Sequence, residues 1–370
     1  MTAAGRTENP VAAVPAAARR PSRKGLGERL LARLVPNDWA RKRWSRLLAQ
    51  RRVVLSALLL VGLSGASFTA ELWSNSKPWV LRSGGEWFFP VLKDYHPTRF
   101  GVTDRLLMDY RALELAPERG DFAIWPPNRW DPFESNKAVE SYPSRPTSEN
   151  LLGTDDRGRD ILARLLYGFR YSIGYAVLVW VITVIAAIGL GGAMGFFGGW
   201  VDLVGQRLVE VLNTVPVFFL LIILVSVFDP SLPMLVALTS LFSWIGLSYY
   251  VRGEFLRNRK ADYVESARAV GAKTARLIFR HILPNSLVPV ITFSPFIISA
   301  HILGLASLDY LGFGLKPPTP SWGELLHQAQ KNFTTAWWLA TFPALALFVA
   351  LLLLSIVGDG VRRAFDPKRG

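Results

Sequence analysis

Apolar and polar positions in this chain alternate in long blocks. An α-helix rises 1.5 Å per residue, so a hydrocarbon layer of about 30 Å takes about 20 apolar residues. Six stretches meet or approach that length: Val53 to Ala70, Ile173 to about Phe197, Val209 to Phe228, Leu235 to Val251, Leu287 to Leu308 and Ala336 to Val357. The fourth is the shortest, bounded by Pro233 and Arg252. The pattern predicts an all-α integral membrane protein with six transmembrane helices and a large loop after the first. Its parts are a basic arm with an interfacial helix (1–52), a first span (53–72), a loop or cap (73–150) and a five-helix core (151–370) carrying a loop at 252–284.

Composition agrees. Half of the chain is apolar (51%) and only 19% is charged, less than a soluble domain carries. Cysteine is absent, which excludes disulfides and thiolate metal sites, and His96, His281, His301 and His327 lack ligand-like spacing.

A net charge of +14 calls for an anionic partner. Residues 1–52 hold thirteen Lys or Arg against three acidic residues, and Arg252 to Arg280 hold eight against three. The tail adds Arg362, Arg363, Lys368 and Arg369, whereas the turn Asp229 to Pro233 has no basic residue. Loops rich in Lys and Arg stay in the cytoplasm. The alternation predicts both termini inside, and it accounts for the charge through membrane lipid with no nucleic acid. Leu30 to Val35 and a helix capped by Asn37, with Trp44, Leu47 and Leu48 on one face, would lie on the anionic leaflet.

The spans hold few ionisable groups: Glu210 at the entrance of the third and His301 inside the fifth. Ion-coupled carriers usually keep carboxylates or histidines within the membrane, so the energy source is expected elsewhere. His301 reads as a histidine hydrogen-bonded between helices. A place on a substrate path, with Asn213 and Trp244, is the alternative.

Trp73, Trp79, Trp87, Trp125 and Trp130 fall in the long first loop, where proline clusters predict an irregular small cap. It would either dock a solute-binding partner or anchor at the headgroups. From Leu151 to Ser172, Thr154 is placed to N-cap an interfacial elbow helix, with Asp155 and Asp156 at its positive end and Gly158, Arg159 and Asp160 in its first turns. A catalytic carboxylate pair is the competing view, but no base, metal ligand or nucleophile accompanies these residues.

Between spans four and five, Val264, Ala267 and Val270 recur at i+3, Gly271 permits a left-handed C-cap, and Ala275, Ile278, Phe279 and Ile282 give a second helix an inward face. The reading is helix, tight turn, helix, either an amphipathic linker or a knob for a soluble partner's groove.

Glu265-Ser266-Ala267, three residues, Gly271, nine residues, then His281-Ile282-Leu283-Pro284 resembles the "EAA" loop of ABC-importer permeases. Ser266 and His281 depart from the general pattern, and with Asn285 they are similar to the oligopeptide/dipeptide branch. Leu152 to Asp155 with Gly158-Arg159-Asp160, Ser307 to Gly314 with Pro317-Pro318 and Trp322-Gly323, and Gly358 to Arg362 with Asp366-Pro367 look like segments of that branch's second, C-type permease. Glu86 to Tyr95 is similar to the sub-branch importing oligopeptides and microcin C.

The resemblance implies a type I ABC-importer transmembrane domain in a bacterial inner membrane. It implies a sister permease, two ATPase subunits or a fused ATPase, and a periplasmic or lipid-anchored peptide-binding protein. Glu265, Ser266, Ala267, Gly271, His281, Leu283 and Pro284 would couple to the ATPase. The chain has no Gly-x4-Gly-Lys-Ser/Thr loop, so it is expected to bind no cofactor itself, with ATP and Mg on partner subunits. A secondary carrier would work without ATPases and respond to ionophores. A membrane-anchored receptor or scaffold would tolerate generic apolar spans. An enzyme is disfavoured for want of a triad, metal set or carboxylate pair.

Overall fold

The computed structural model describes residues 44–103, 108–113 and 115–365. The chain divides into Met1–Arg46, described only at 44–46, and Leu47–Gly370, which holds everything below. The expected helices at Leu30–Val35 and after Asn37 lie outside the described residues, except that 44–48 is helical. Among the described residues five helices are long and apolar enough to cross a bilayer, and a pair bent by 69° supplies a sixth crossing if counted as one.

Helix α1 (Arg51–Phe68) buries only Val53, Ser56 and Ser67 and leaves Leu55, Leu58 and Val61 exposed, the distribution expected of a lipid-facing helix. It is seated at both ends. Gly360 brings its backbone onto Val53, and Ser67 Oγ donates to Leu166 O at 2.5 Å.

The first loop is more regular than its prolines suggest. Strands β1 (Val80–Ser83), β2 (Glu86–Phe88) and β3 (Phe122–Ile124) form an antiparallel sheet in the order β2-β1-β3. Gly84 and Gly85, at φ 60° and 85°, turn the first hairpin, whose register pairs Ser83 with Glu86 and Leu81 with Phe88. Leu81, Phe88 and Tyr110 form its small core, ringed by Tyr95, Phe100 and Trp125.

Helix α2 runs unbroken from Ile161 to Phe197, 37 residues or about 55 Å at 1.5 Å each, with a π turn at Ala187–Gly191. The separate elbow helix capped by Thr154 is therefore corrected. Gly153 and Gly158 have φ of 83° and 77°, so the chain before Asp160 is a folded turn, and Asp160 is the cap, accepting Ala163 N–H at 2.8 Å. Near the far end of α2, a Cβ on Gly191 or Gly195 would stand 2.6 Å from Ser248 O or Arg252 O. These small residues let α2 pack backbone to backbone on α5 (Leu232–Asn258).

The third crossing is not one helix. α3 (Gly199–Asn213) and α4 (Val217–Val227) are split by Thr214, Val215 and Pro216. Pro216 stands before the first turn of α4, and Gly198 and Gly199, at φ 65° and 53°, turn the chain into α3. After α5 come α6 (Asp262–Ala269), α7 (274–286, including a π turn at Leu277–Ile282), α8 (Val288–Tyr310), α9 (Trp322–Lys331) and α10 (Trp337–Phe365). Helix α9 lies in the connection between the fifth and sixth expected spans. The span expected to end at Leu308 continues to Tyr310 and so includes a buried Asp309.

Besides the core of the cap, two large cores lie in the helical part of Leu47–Gly370. Tyr175, Val179, Leu235, Ile302, Leu305 and Leu354 pack in one, and Trp244, Val251, Phe255, Val264, Leu277 and Ile282 in the other. The second contains the feet of α6 and α7.

Candidate coupling hairpin and the buried charge cluster

Helices α6 and α7 form a hairpin on the end of the bundle where α2 finishes. The cap sits at the start of α2, so the two are at opposite ends of that helix. At the hairpin's root Arg252 clasps Asp202 of α3 through two hydrogen bonds of 2.5 and 2.6 Å, and Arg259 Nη1 donates to Phe196 O at 3.0 Å. Asn258 Nδ2 donates to Ser286 Oγ at 3.0 Å, joining the end of α5 to the end of α7.

Gly271 has φ 87° and terminates α6: its N–H donates to Arg268 O at 2.9 Å and that of Ala272 to Ala267 O at 3.0 Å. These two bonds are the Schellman pattern, which needs a residue free of the Cβ penalty. The expected coupling residues all fall on this hairpin. Glu265 and Ser266 are exposed, Ala267 half-buried, His281 and Leu283 half-buried and Pro284 exposed. His281 O accepts Asn285 Nδ2–H at 2.8 Å, tightening the last turn.

The expected apolar stripes need correction. Val264 is fully buried, but Val270 is 90% exposed because the helix ends at Ala269. In α7 the π turn slips the register by one residue, so Leu277 and Ile282 point inward while Phe279 (67% exposed) and Ala275 face out. The free face of the hairpin thus carries Glu265, Ser266, Val270 and Phe279 among Arg268, Lys273 and Arg280. That surface offers apolar contact inside a basic rim.

At the opposite end the residues read as an elbow form a buried charge cluster. Asp155, Asp160 and Arg164 have no exposed surface and Arg159 has 3%. Arg159 Nε donates to Asp155 Oδ2 at 2.6 Å and its Nη2 to Glu324 Oε1 at 3.2 Å. Arg164 pairs with the other oxygen of Glu324 and donates to Pro132 O at 3.1 Å and Pro318 O at 3.3 Å. Two cations meet two anions with most hydrogen-bonding positions filled, the condition under which buried charge is tolerated. Asp160 accepts from Asn128 at 2.8 Å and Asn150 at 2.9 Å. Burial pushes its carboxyl above the ordinary carboxylate range, against the pull of those donors. Thr154 accepts Ser144 N–H at 2.8 Å and Gly158 lies against the Tyr142 ring.

Glu324, Gln328, Asn128 and Asn150 were not singled out from the sequence. Ser321-x-x-Glu324 is a capping-box pattern, and that signal could have found α9: Ser321 Oγ accepts Glu324 N–H at 3.3 Å.

The residues proposed for a substrate path are scattered. Trp244 is a core residue, 7% exposed, with Nε1–H on Leu241 O at 2.8 Å. Asn213 is exposed at the end of α3. His301 is half-buried on α8, and its Nε2 is buried with no hydrogen-bond partner, so a bond between helices does not run through that nitrogen. Among the described residues no group of three His, Cys, Asp or Glu could hold a metal ion.

A helical domain with several helices long and apolar enough to cross a bilayer, a projecting hairpin at one end and a folded cap at the other has the build of an integral membrane domain. Residues 187–370 match the family described as "Binding-protein-dependent transport system inner membrane component". The chain is 40% identical over 342 residues to the "Inner membrane ABC transporter permease protein YejE" of Escherichia coli (strain K12), covering 92% of this chain and 99% of that one. It is 35% identical to the "Peptidoglycan transport system permease protein YejE" of Agrobacterium fabrum, over 89% of this chain and 93% of the relative. It is 37% identical to the "Dipeptide transport system permease protein DppC" of Haemophilus influenzae, over 65% of this chain and 82% of the relative. The chain belongs to this family and is an inner-membrane permease subunit of an ABC importer, a transport component that works with ATPase and substrate-binding partners. Its relatives occupy the branch that the motifs implied.

Proposed function

We propose that this permease imports oligopeptides or peptide-like compounds, with a sister permease forming the other half of the pore. Two ATPase subunits, or one fused ATPase, hold ATP and Mg and receive the hairpin 252–284. A periplasmic or lipid-anchored binding protein delivers peptide to the cap side. Both termini and the hairpin then lie in the cytoplasm. The observation that carries this reading is the hairpin itself: Glu265, Ser266 and Pro284 of its EAA-like set are exposed, its turn is fixed by Gly271, and its root is clasped to α2 and α3. Closure of the ATPases pushes the knob and rocks the bundle as a rigid body. A second substrate reading, peptide-bearing cell-wall fragments, is favoured by the name of the Agrobacterium relative.

The test is uptake in cells lacking the native permease, with labelled oligopeptides, microcin C and muropeptides offered in turn. Glu265→Lys is expected to reduce uptake to background while the protein inserts normally and loses its co-purifying ATPase. Normal uptake by this variant removes the docking role. Labelling of Val270→Cys from outside intact cells overturns the orientation.

A further inference from the structure

Helix α8 starts two residues after α7, so any displacement of the hairpin is delivered to its base through the backbone. Its other end is clamped. Asp309 is 6% exposed, its Oδ1 accepts Leu315 N–H at 2.6 Å, and its Oδ2 accepts the hydroxyl of Ser321, which is also the N-cap of α9. Gly314 and Gly323 press so closely on Asp309 that a side chain at either position would overlap it. Three residues into α9, Glu324 meets Arg159 and Arg164. Arg164 reaches Pro132 O of the cap, and Asp160 in the same turn holds Asn128 of the cap.

We infer that this line (hairpin, α8, Asp309, Ser321, Glu324, Arg164, cap) is a strut joining the ATPase-coupling hairpin to the surface on which the binding protein docks. Asp309, Ser321 and Glu324 are its positioning residues. The inference rests on the importer reading above and adds the route by which the two ends sense each other. The chemistry suits the task. Replacing a buried ion set by apolar side chains often gains stability, so one kept at a junction of three chain segments serves geometry better than it serves stability. Each joint is made of charged or cap hydrogen bonds with one directional solution, so α8 cannot slide at its outer end without moving α9 and the cap with it. A coupling of this kind acts in both directions: docking at the cap changes the affinity at the hairpin by the same free energy as docking at the hairpin changes that at the cap.

The experiment uses the full complex in lipid nanodiscs, with ATP hydrolysis measured with and without the binding protein loaded with a peptide digest of casein. Wild type is expected to be stimulated by the loaded binding protein. Glu324→Gln and Ser321→Ala are expected to keep the unstimulated rate and to lose most of the stimulation. Lys316→Ala breaks the exposed bridge to Asp229 at the same end and is expected to change nothing. Ser321→Ala leaves every buried charge in place, so it decides the matter if Glu324→Gln does not assemble. Full stimulation in Ser321→Ala, or in an assembled Glu324→Gln, overturns the strut. A wild type that hydrolyses ATP but ignores the loaded binding protein overturns the oligopeptide reading instead.

Discussion

The two ends of this protein use opposite solutions for their polar residues. At the hairpin end Glu265 and Ser266 are on the surface, and the fold is held behind them by Val264, Leu277 and Ile282, by the Asn258–Ser286 bond and, at the root, by Arg252 on Asp202 and Arg259 on Phe196 O. At the cap end the polar residues are inside, and Arg159, Arg164, Asp155 and Glu324 join segments far apart in sequence. A surface that must meet a partner keeps its chemistry exposed and its supports behind it. A junction that must keep three segments in one geometry buries its charges, because an exposed ion pair holds little. Removing one partner should therefore show as lost transport with stability nearly intact at the hairpin end, and as lost stability together with lost coupling at the cap end.

The largest effect is expected from Arg164→Met. It leaves Glu324 and Asp155 with one cation between them in a dry site, which costs about 3–5 kcal/mol. Thermal unfolding in detergent measures it, and a change under 1 kcal/mol would show that the cluster is not a structural junction. Gly271→Pro comes next. Proline cannot adopt φ 87° and removes the N–H that closes the turn. Uptake should fall to background with the unfolding temperature close to wild type; a loss of stability matching that of Arg164→Met would erase the contrast between the ends.

Asp160→Ala removes the cap of α2 and strands two asparagine amides, for a loss of about 1–2 kcal/mol. The smallest effect concerns pH. The Asp160 carboxyl has its affinity for protons raised by burial in the folded state. Its contribution to stability is thus fully present below the ordinary carboxylate range and fades as pH rises through the raised value. The difference in unfolding temperature between wild type and Asp160→Asn, followed from acid to neutral pH, should move against wild type as pH rises. A flat difference would mean that the ring of donors cancels the burial.

Much of this was legible without coordinates. Apolar block lengths located the five long apolar helices and the bent pair among the described residues, since hydrocarbon thickness imposes a length that no packing detail changes. Gly271 announced its own left-handed turn. The elbow was misread because a Thr-Asp-Asp run looks like a helix start on local rules, whereas Gly153 and Gly158 place the true start at Asp160. Phe279 and Ala275 were placed inward because a 3.6-residue period was assumed, and a π turn broke it.

What the sequence determined by itself is therefore what depends on one segment and its solvent: the spans, the charge alternation, the hairpin and its glycine. The tertiary structure decided the partners of Arg159 and Arg164, the bend before Pro216 and the place of α9. The pairs that Glu324 makes with Arg159 and Arg164 join positions more than a hundred residues apart, and a buried charge has no local signature that tells it from a solvated one until its counter-charge has been brought to it.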